Sequence, residues 1–359
     1  MTNDIPAPWR APLLVLAFVS LAVGVAAGLV RLGWNLGAPA AAHGPLMISS
    51  FFGTVIGLER AVALGRRWAY IGPLASGLSG LAIITGVGAP WPAALATVGS
   101  LVFLAASLDI LARQKALFTA TLALGAACWF VGTLYWAGGR EVWQVVVWWI
   151  AFLVFTIAGE RLELSRFLPA SPMAKGLFAA IVALLLGALI VAGGSPIAQI
   201  VFGGALVALA LWLFGNDVAR RTVRESGLTR FIAVCLLSGY AWLAFGGAAI
   251  VAAGGVAPGT PSYDAALHAL LLGFVFAMVF GHAPIIFPAV LNVSVPWRPI
   301  FYLPLALLHA SLAVRIAGDY AGDFALRRTG GFGNAAALAL FVLVMVGSIV
   351  TARSRPIRG

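Results

Sequence analysis

Charge is scarce in this chain: Asp, Glu, Lys and Arg make up 9% of its 359 residues, against about a quarter in an ordinary soluble domain. That shortage excludes a soluble enzyme, whose surface would have too little to offer water. Cysteine is nearly absent too. Cys128 and Cys235 are the only two, and both fall in apolar runs, where neither a disulfide framework nor a CxxC metal clamp is credible. They read as small packing residues. No polar stretch is long enough to fold as a soluble domain, so function must reside inside the apolar runs or at their ends.

What the chain has instead is hydrophobicity: 62% of residues are apolar or aromatic, with a mean hydropathy of +1.04. Runs of about 18 to 25 apolar residues recur from end to end, the length that crosses a bilayer as helix. Twelve are counted, at 12–30, 43–63, 69–88, 91–112, 116–137, 142–159, 174–193, 197–215, 231–254, 263–287, 299–316 and 331–351. The expected fold is an all-α polytopic membrane bundle of 12 transmembrane helices, forming one transmembrane domain over 1–359. The first run, Leu13 to Val30, reads as a retained span rather than a cleaved leader.

The net charge of +11 would point to nucleic acid in a soluble protein. Here the basic residues lie mainly between apolar runs, where they orient the chain, so the expected partner is the lipid bilayer and not nucleic acid. With both termini inside, 17 of the 22 Lys and Arg fall on the cytoplasmic side, and Arg31, Arg140, Arg315, Arg327 and Arg328 on the other. This asymmetry predicts a multi-pass protein of the bacterial cytoplasmic membrane, N-in and C-in.

Spans four apart look alike. Span 2 closes with Gly57-Leu58-Glu59-Arg60 and span 6 with Ala158-Gly159-Glu160-Arg161, while span 10 carries Phe280-Gly281-His282 at the comparable place. Spans 4, 8 and 12 end near Arg113, Arg220 and Arg353. Repeats over 1–115, 116–225 and 226–359 would give three pseudo-symmetric four-helix arcs. The competing explanation is that short Gly- and Phe-rich helices ending in charge resemble one another by composition.

The four histidines, His43, His268, His282 and His309, all lie within a span or at its edge. Ionisable groups at membrane depth are costly and usually face an interior, a cavity or a cofactor. His43, His268 and His309 are all expected in the outer half of the membrane, where a pair from spans 2 and 10 could clasp a haem and the third serve as a further ligand, supporting group or proton carrier. Arg31 and Arg315 are candidate partners for haem propionates. Met47, one turn after His43, could offer sulfur to copper, although a core methionine is the simpler reading. His282 follows His268 by 14 residues, about 21 Å along a helix, so one ion cannot reach both. Gly281 and Pro284 suggest a locally opened helix there. Glu59, Glu160 and His282 either form an inner proton or metal site, or the two acids pair with Arg60, Arg161 or other basic groups at the interface.

The stretches His43-Gly44-Pro45-Leu46-Met47, His268-Ala269-Leu270-Leu271-Leu272-Gly273 and Leu307-Leu308-His309-Ala310-Ser311-Leu312-Ala313-Val314-Arg315 resemble the NnrS family of twelve-span membrane proteins. The resemblance implies haem and copper, a link to the nitric-oxide response, and a distant likeness to haem-copper oxidase subunit I, whose low-spin haem takes ligands from helices 2 and 10. Spans 6 and 7 hold no histidine, so the oxidase's binuclear oxygen-reducing centre is not implied. The leading expectation is a haem-binding membrane protein, with haem b the expected cofactor, copper a second candidate, and a role in electron transfer or the nitric-oxide and stress response. The alternative is a proton-coupled secondary transporter, and the third reading a cofactor-free scaffold.

Overall fold

In hydrocarbon each backbone N–H and C=O must find its partner within the protein, and a helix supplies those partners locally. The chain meets this demand almost entirely with helices. The computed structural model describes residues 4–164, 171–191 and 195–353. The protein is an all-α, multi-pass membrane bundle, with no strand among the described residues.

The helices are α1 (Ala11–Arg31), α2 (Pro45–Leu64), α3 (Ile71–Ile84), α4 (Trp91–Arg113), α5 (Leu117–Ala137), α6 (Val142–Leu164), α7 (Pro172–Val191), α8 (Pro196–Asn216), α9 (Gly227–Ala252), α10 (Pro261–Leu291), α11 (Tyr302–Ala321) and α12 (Phe324–Arg353). Short helical turns link some of them. Among the described residues, 11 helices are long and apolar enough to cross a membrane. The one that falls short is α3: its 14 residues span about 21 Å, less than the ~30 Å hydrocarbon thickness. The apolar run expected over 69–88 is spent at both ends on other structure, a tight turn at Arg67–Tyr70 and a loop beginning at Thr85.

Two helices depart from α geometry. In α2 the first eight residues, Pro45–Phe52, form a π-helix before the chain tightens at Gly53. In α10 the middle eight, Ala269–Phe276, do the same. Wide turns of this kind are rare and concentrate at functional positions. The opening expected at Gly281 and Pro284 lies elsewhere: Ala277–Leu291 is continuous α-helix through Pro284 and Pro288, and the widened backbone comes just before it.

The chain divides into two compact units, 1–160 and 161–359. In the first, α1 packs on α2 and α3, α3 on α4, and α4 on α5. Small residues let these backbones approach. A Cβ at Gly53 would overlap the Trp129 indole, and one at Gly80 or Gly99 would overlap a serine hydroxyl of the facing helix. Trp129 itself is fully buried, stacked on Phe152 at 4.9 Å. In the second unit, α7 packs on α8, α8 on α9, α9 on α10, and α11 on α12. Here Gly203 and Gly247 face each other so closely that a Cβ on either would meet the other's carbonyl oxygen.

Gly53→Val is therefore expected to destabilise the protein by ~1–3 kcal/mol through overpacking, read as a lower unfolding temperature in detergent. The same change at Gly204, where a Cβ meets nothing, is expected to cost far less.

Candidate functional site

His43 stands two residues before the π-helix of α2, with Gly44 between, and its ring lies against α1. Gly28 makes that possible, since a Cβ there would come within 2.8 Å of His43 Cε1. One turn earlier on the same face, the Gly24 carbonyl oxygen lies 2.8 Å from His43 Nδ1. A carbonyl can only accept, so Nδ1 carries the proton and the ring's lone pair belongs to Nε2. Met47 is buried against the same Gly24, a packing role. Arg31 ends α1, exposed, three residues beyond Gly28 and so on the face that holds the imidazole. Glu59 is half-buried near the end of α2, and the neighbouring Arg60 guanidinium sits 5.9 Å from the centre of the Phe103 ring.

In the second unit the pattern recurs. His268 immediately precedes the π-helix of α10, and its Nδ1 is 2.8 Å from the Asp264 carbonyl oxygen. Again the lone pair belongs to Nε2. The Asp264 side chain adds a carboxylate oxygen 3.4 Å from the same Nδ1. That carboxylate also binds Arg315 in a two-pronged pair, Nε to Oδ2 at 3.0 Å and Nη2 to Oδ1 at 3.1 Å. Arg315, expected as a propionate partner, is thus engaged by Asp264, the residue one helical turn before His268.

His309 has both ring nitrogens in use. The Trp242 indole N–H donates to its Nδ1 at 3.0 Å, and its Nε2–H donates to Ser238 Oγ at 3.0 Å, whose own proton goes to the Val234 carbonyl. The ring is a neutral imidazole locked by a hydrogen-bond chain. Trp242 in turn lies on Gly273 of the π-helix, where a Cβ would overlap the indole.

His282 belongs to a different cluster. Arg161, on α6, is buried and pairs with Asp217 through Nε to Oδ2 at 2.7 Å and Nη2 to Oδ1 at 3.0 Å. Tyr240 OH donates to Asp217 Oδ2 at 2.8 Å, and the Ala219 N–H to Oδ1 at 2.7 Å. The carboxylate therefore accepts four hydrogen bonds. The remaining arm of Arg161 points Nη1 at His282 Nε2, 3.4 Å away, while His282 Nδ1 donates to the Met278 carbonyl at 2.7 Å. A guanidinium against Nε2 would repel a metal ion at that atom. Arg161, one of the basic groups expected near Glu160, pairs with the buried Asp217, and Glu160 itself is half-buried on α6.

Among the described residues, no three His, Cys, Asp or Glu side chains converge as metal ligands would. The polar residues that sequence reasoning passed over are Asp217, Tyr240, Asp264 and Trp242. Asp264 had a signal, since it sits four residues before His268 and hence on the same helix face. Asp217 had none, because its partners lie 56 and 23 residues away.

These features define an all-helical, multi-pass membrane protein whose histidines are hydrogen-bonded and half-buried and whose second unit holds the buried Arg161–Asp217 pair. More particularly, the chain belongs to the family described as a domain of unknown function, DUF8744, whose sequence profile matches residues 10–350. Comparison with curated proteins gives no match.

Asp217→Ala would leave Arg161 buried without its counter-charge and is expected to cost ~3–5 kcal/mol of stability. Asp109→Ala breaks only the exposed pair with Arg113 and is expected to cost about 0.5 kcal/mol or less. Paired unfolding curves in detergent check the contrast.

Proposed function

We propose that this is a haem-binding protein of the bacterial cytoplasmic membrane, with His43 and His268 each presented by its own unit as an iron ligand. The observation that carries the reading is the repeated arrangement of a histidine at the head of an eight-residue π-helix, its Nδ1 held by a main-chain carbonyl. Metal-binding histidines are oriented in this way: a hydrogen bond from one ring nitrogen fixes the tautomer and makes the other nitrogen the donor to the metal. The donor chemistry therefore fits haem. Bound haem would supply one-electron chemistry and an iron centre able to meet small gases.

The chain's own residues have definable tasks in this reading. The Gly24 and Asp264 carbonyls hold each imidazole in one tautomer, and Gly28 makes room for the first ring. Arg31, on the His43 face of α1, is the better propionate partner, since Arg315 is committed to Asp264. His309, with both nitrogens engaged, supports α9 and α11 rather than serving as a ligand, and so a copper site built on it forms no part of the proposal. The resemblance to the NnrS family suggests electron transfer or a nitric-oxide and stress role. The distribution of basic residues supports N-in and C-in.

Expression with ample haem and purification should give a Soret band and, on reduction, the sharp visible bands of a six-coordinate low-spin haem. His43→Ala and His268→Ala should each lower haem content roughly tenfold or more, while His309→Ala and His282→Ala should retain it. Folded wild type without a Soret band, or one that survives loss of both ligands, would overturn the proposal.

A further inference from the structure

Beside Asp264 lies a second buried carboxyl group whose surroundings differ. Asp319 is on α11, one turn after Arg315, and its side chain is 0% exposed. Asp264 takes both prongs of Arg315 and a further contact from Arg327 Nη2 at 3.1 Å. Asp319 is left to share Arg327, whose Nε lies 2.9 Å from Oδ1. Neither Asp319 oxygen accepts a hydrogen bond among the described residues, and neither does that Nε donate one. The contact is close but misdirected.

The position of Arg327 is set by the backbone. Gly318 and Arg327 meet where α11 and α12 pack, with no room for a Cβ on Gly318. The charged and titratable groups around Asp319 are Arg315 on its own helix, Asp264 and His268 on α10, and Arg327 with the half-buried Arg328 on α12. Asp323, in the turn between α11 and α12, is exposed and accepts from the Leu326 N–H. Arg315 is committed to Asp264, so two carboxyl groups compete for one guanidinium.

An ionised carboxylate stripped of water needs several directed donors, and Asp319 has none. A neutral carboxylic acid needs one acceptor for its O–H, and the Asp264 carboxylate lies on the same Arg327 guanidinium, 3.1 Å from Nη2, while Asp319 Oδ1 is 2.9 Å from Nε. We propose that Asp319 is a proton-binding site. With the proton bound, its hydroxyl donates to Asp264 and Arg327 serves Asp264 alone. When the O–H bond breaks, the proton leaves through the exposed turn at Gly322 and Asp323, and the new carboxylate draws Arg327 to itself. Proton occupancy thus decides whether α12 is tied chiefly to α10 or to α11. The inference needs no iron at His268, although the Asp264 carboxylate also lies 3.4 Å from Nδ1 of that ring.

Infrared spectroscopy of the full-length protein tests it. Wild type at neutral pH should show a protonated-carboxyl C=O band that fades as pH rises and is missing in Asp319→Asn. That variant is a neutral isostere of the bound acid, so it should fold and melt within a few degrees of wild type, whereas Asp264→Asn should melt well below it. If Asp319 is instead a permanent ion-pair partner of Arg327, no carboxyl band will be lost, and Asp319→Asn will melt as low as Asp264→Asn or fail to fold. Either result overturns the proposal.

Discussion

Hydrocarbon offers no hydrogen bonds, and this one fact about the solvent governs what every polar atom in the chain can do. Backbone groups are satisfied by helices. Side-chain groups must find partners across helices or reach the ends. Arg161 shows the second demand at its strongest: a guanidinium with almost no exposure reaches a carboxylate 56 residues away, and the carboxylate gathers a tyrosine and a backbone amide besides. A buried pair of this kind adds little net stability over an apolar replacement, but losing one partner is severe. It therefore acts as a constraint on which helices meet, more than as glue.

The same demand shapes the histidines. His282 and His309 place both ring nitrogens against protein groups. His43 and His268 each commit Nδ1 to a carbonyl oxygen at the entrance to a π-helix. A π turn widens the backbone at a structural cost, and two such stretches of equal length, each headed by histidine, are hard to account for by packing alone. That recurrence, rather than the mere presence of histidine in spans, supports the haem reading.

Much of this was legible in the residues. Long apolar runs separated by basic loops gave most helix ends to within five residues, because the length of an apolar helix is set by membrane thickness, while α12 begins seven residues before the expected 331. The third helix was overread, since hydropathy cannot tell Tyr70 or Thr85 in a turn from the same residues in a span. The π-helices were invisible, because an apolar run without a polar face carries no periodicity to widen. Among the candidate site residues, all four histidines merited attention, but their partners could not be foreseen. Asp264 shares a helix face with His268 and could have been paired with it by spacing. The links from Arg161 to Asp217, from Trp242 to His309 and from Arg327 to Asp319 depend on which helices pack, and a single sequence does not encode that in any local pattern.

The claim at the centre is that His43 and His268 present imidazole nitrogens to iron. Electron paramagnetic resonance of the oxidised, purified wild type, with iron quantified on the same sample, addresses it most directly. The account predicts a low-spin ferric signal of imidazole-ligated haem and iron bound in proportion to protein. A folded protein free of iron, or one whose iron gives only a high-spin signal, would contradict it.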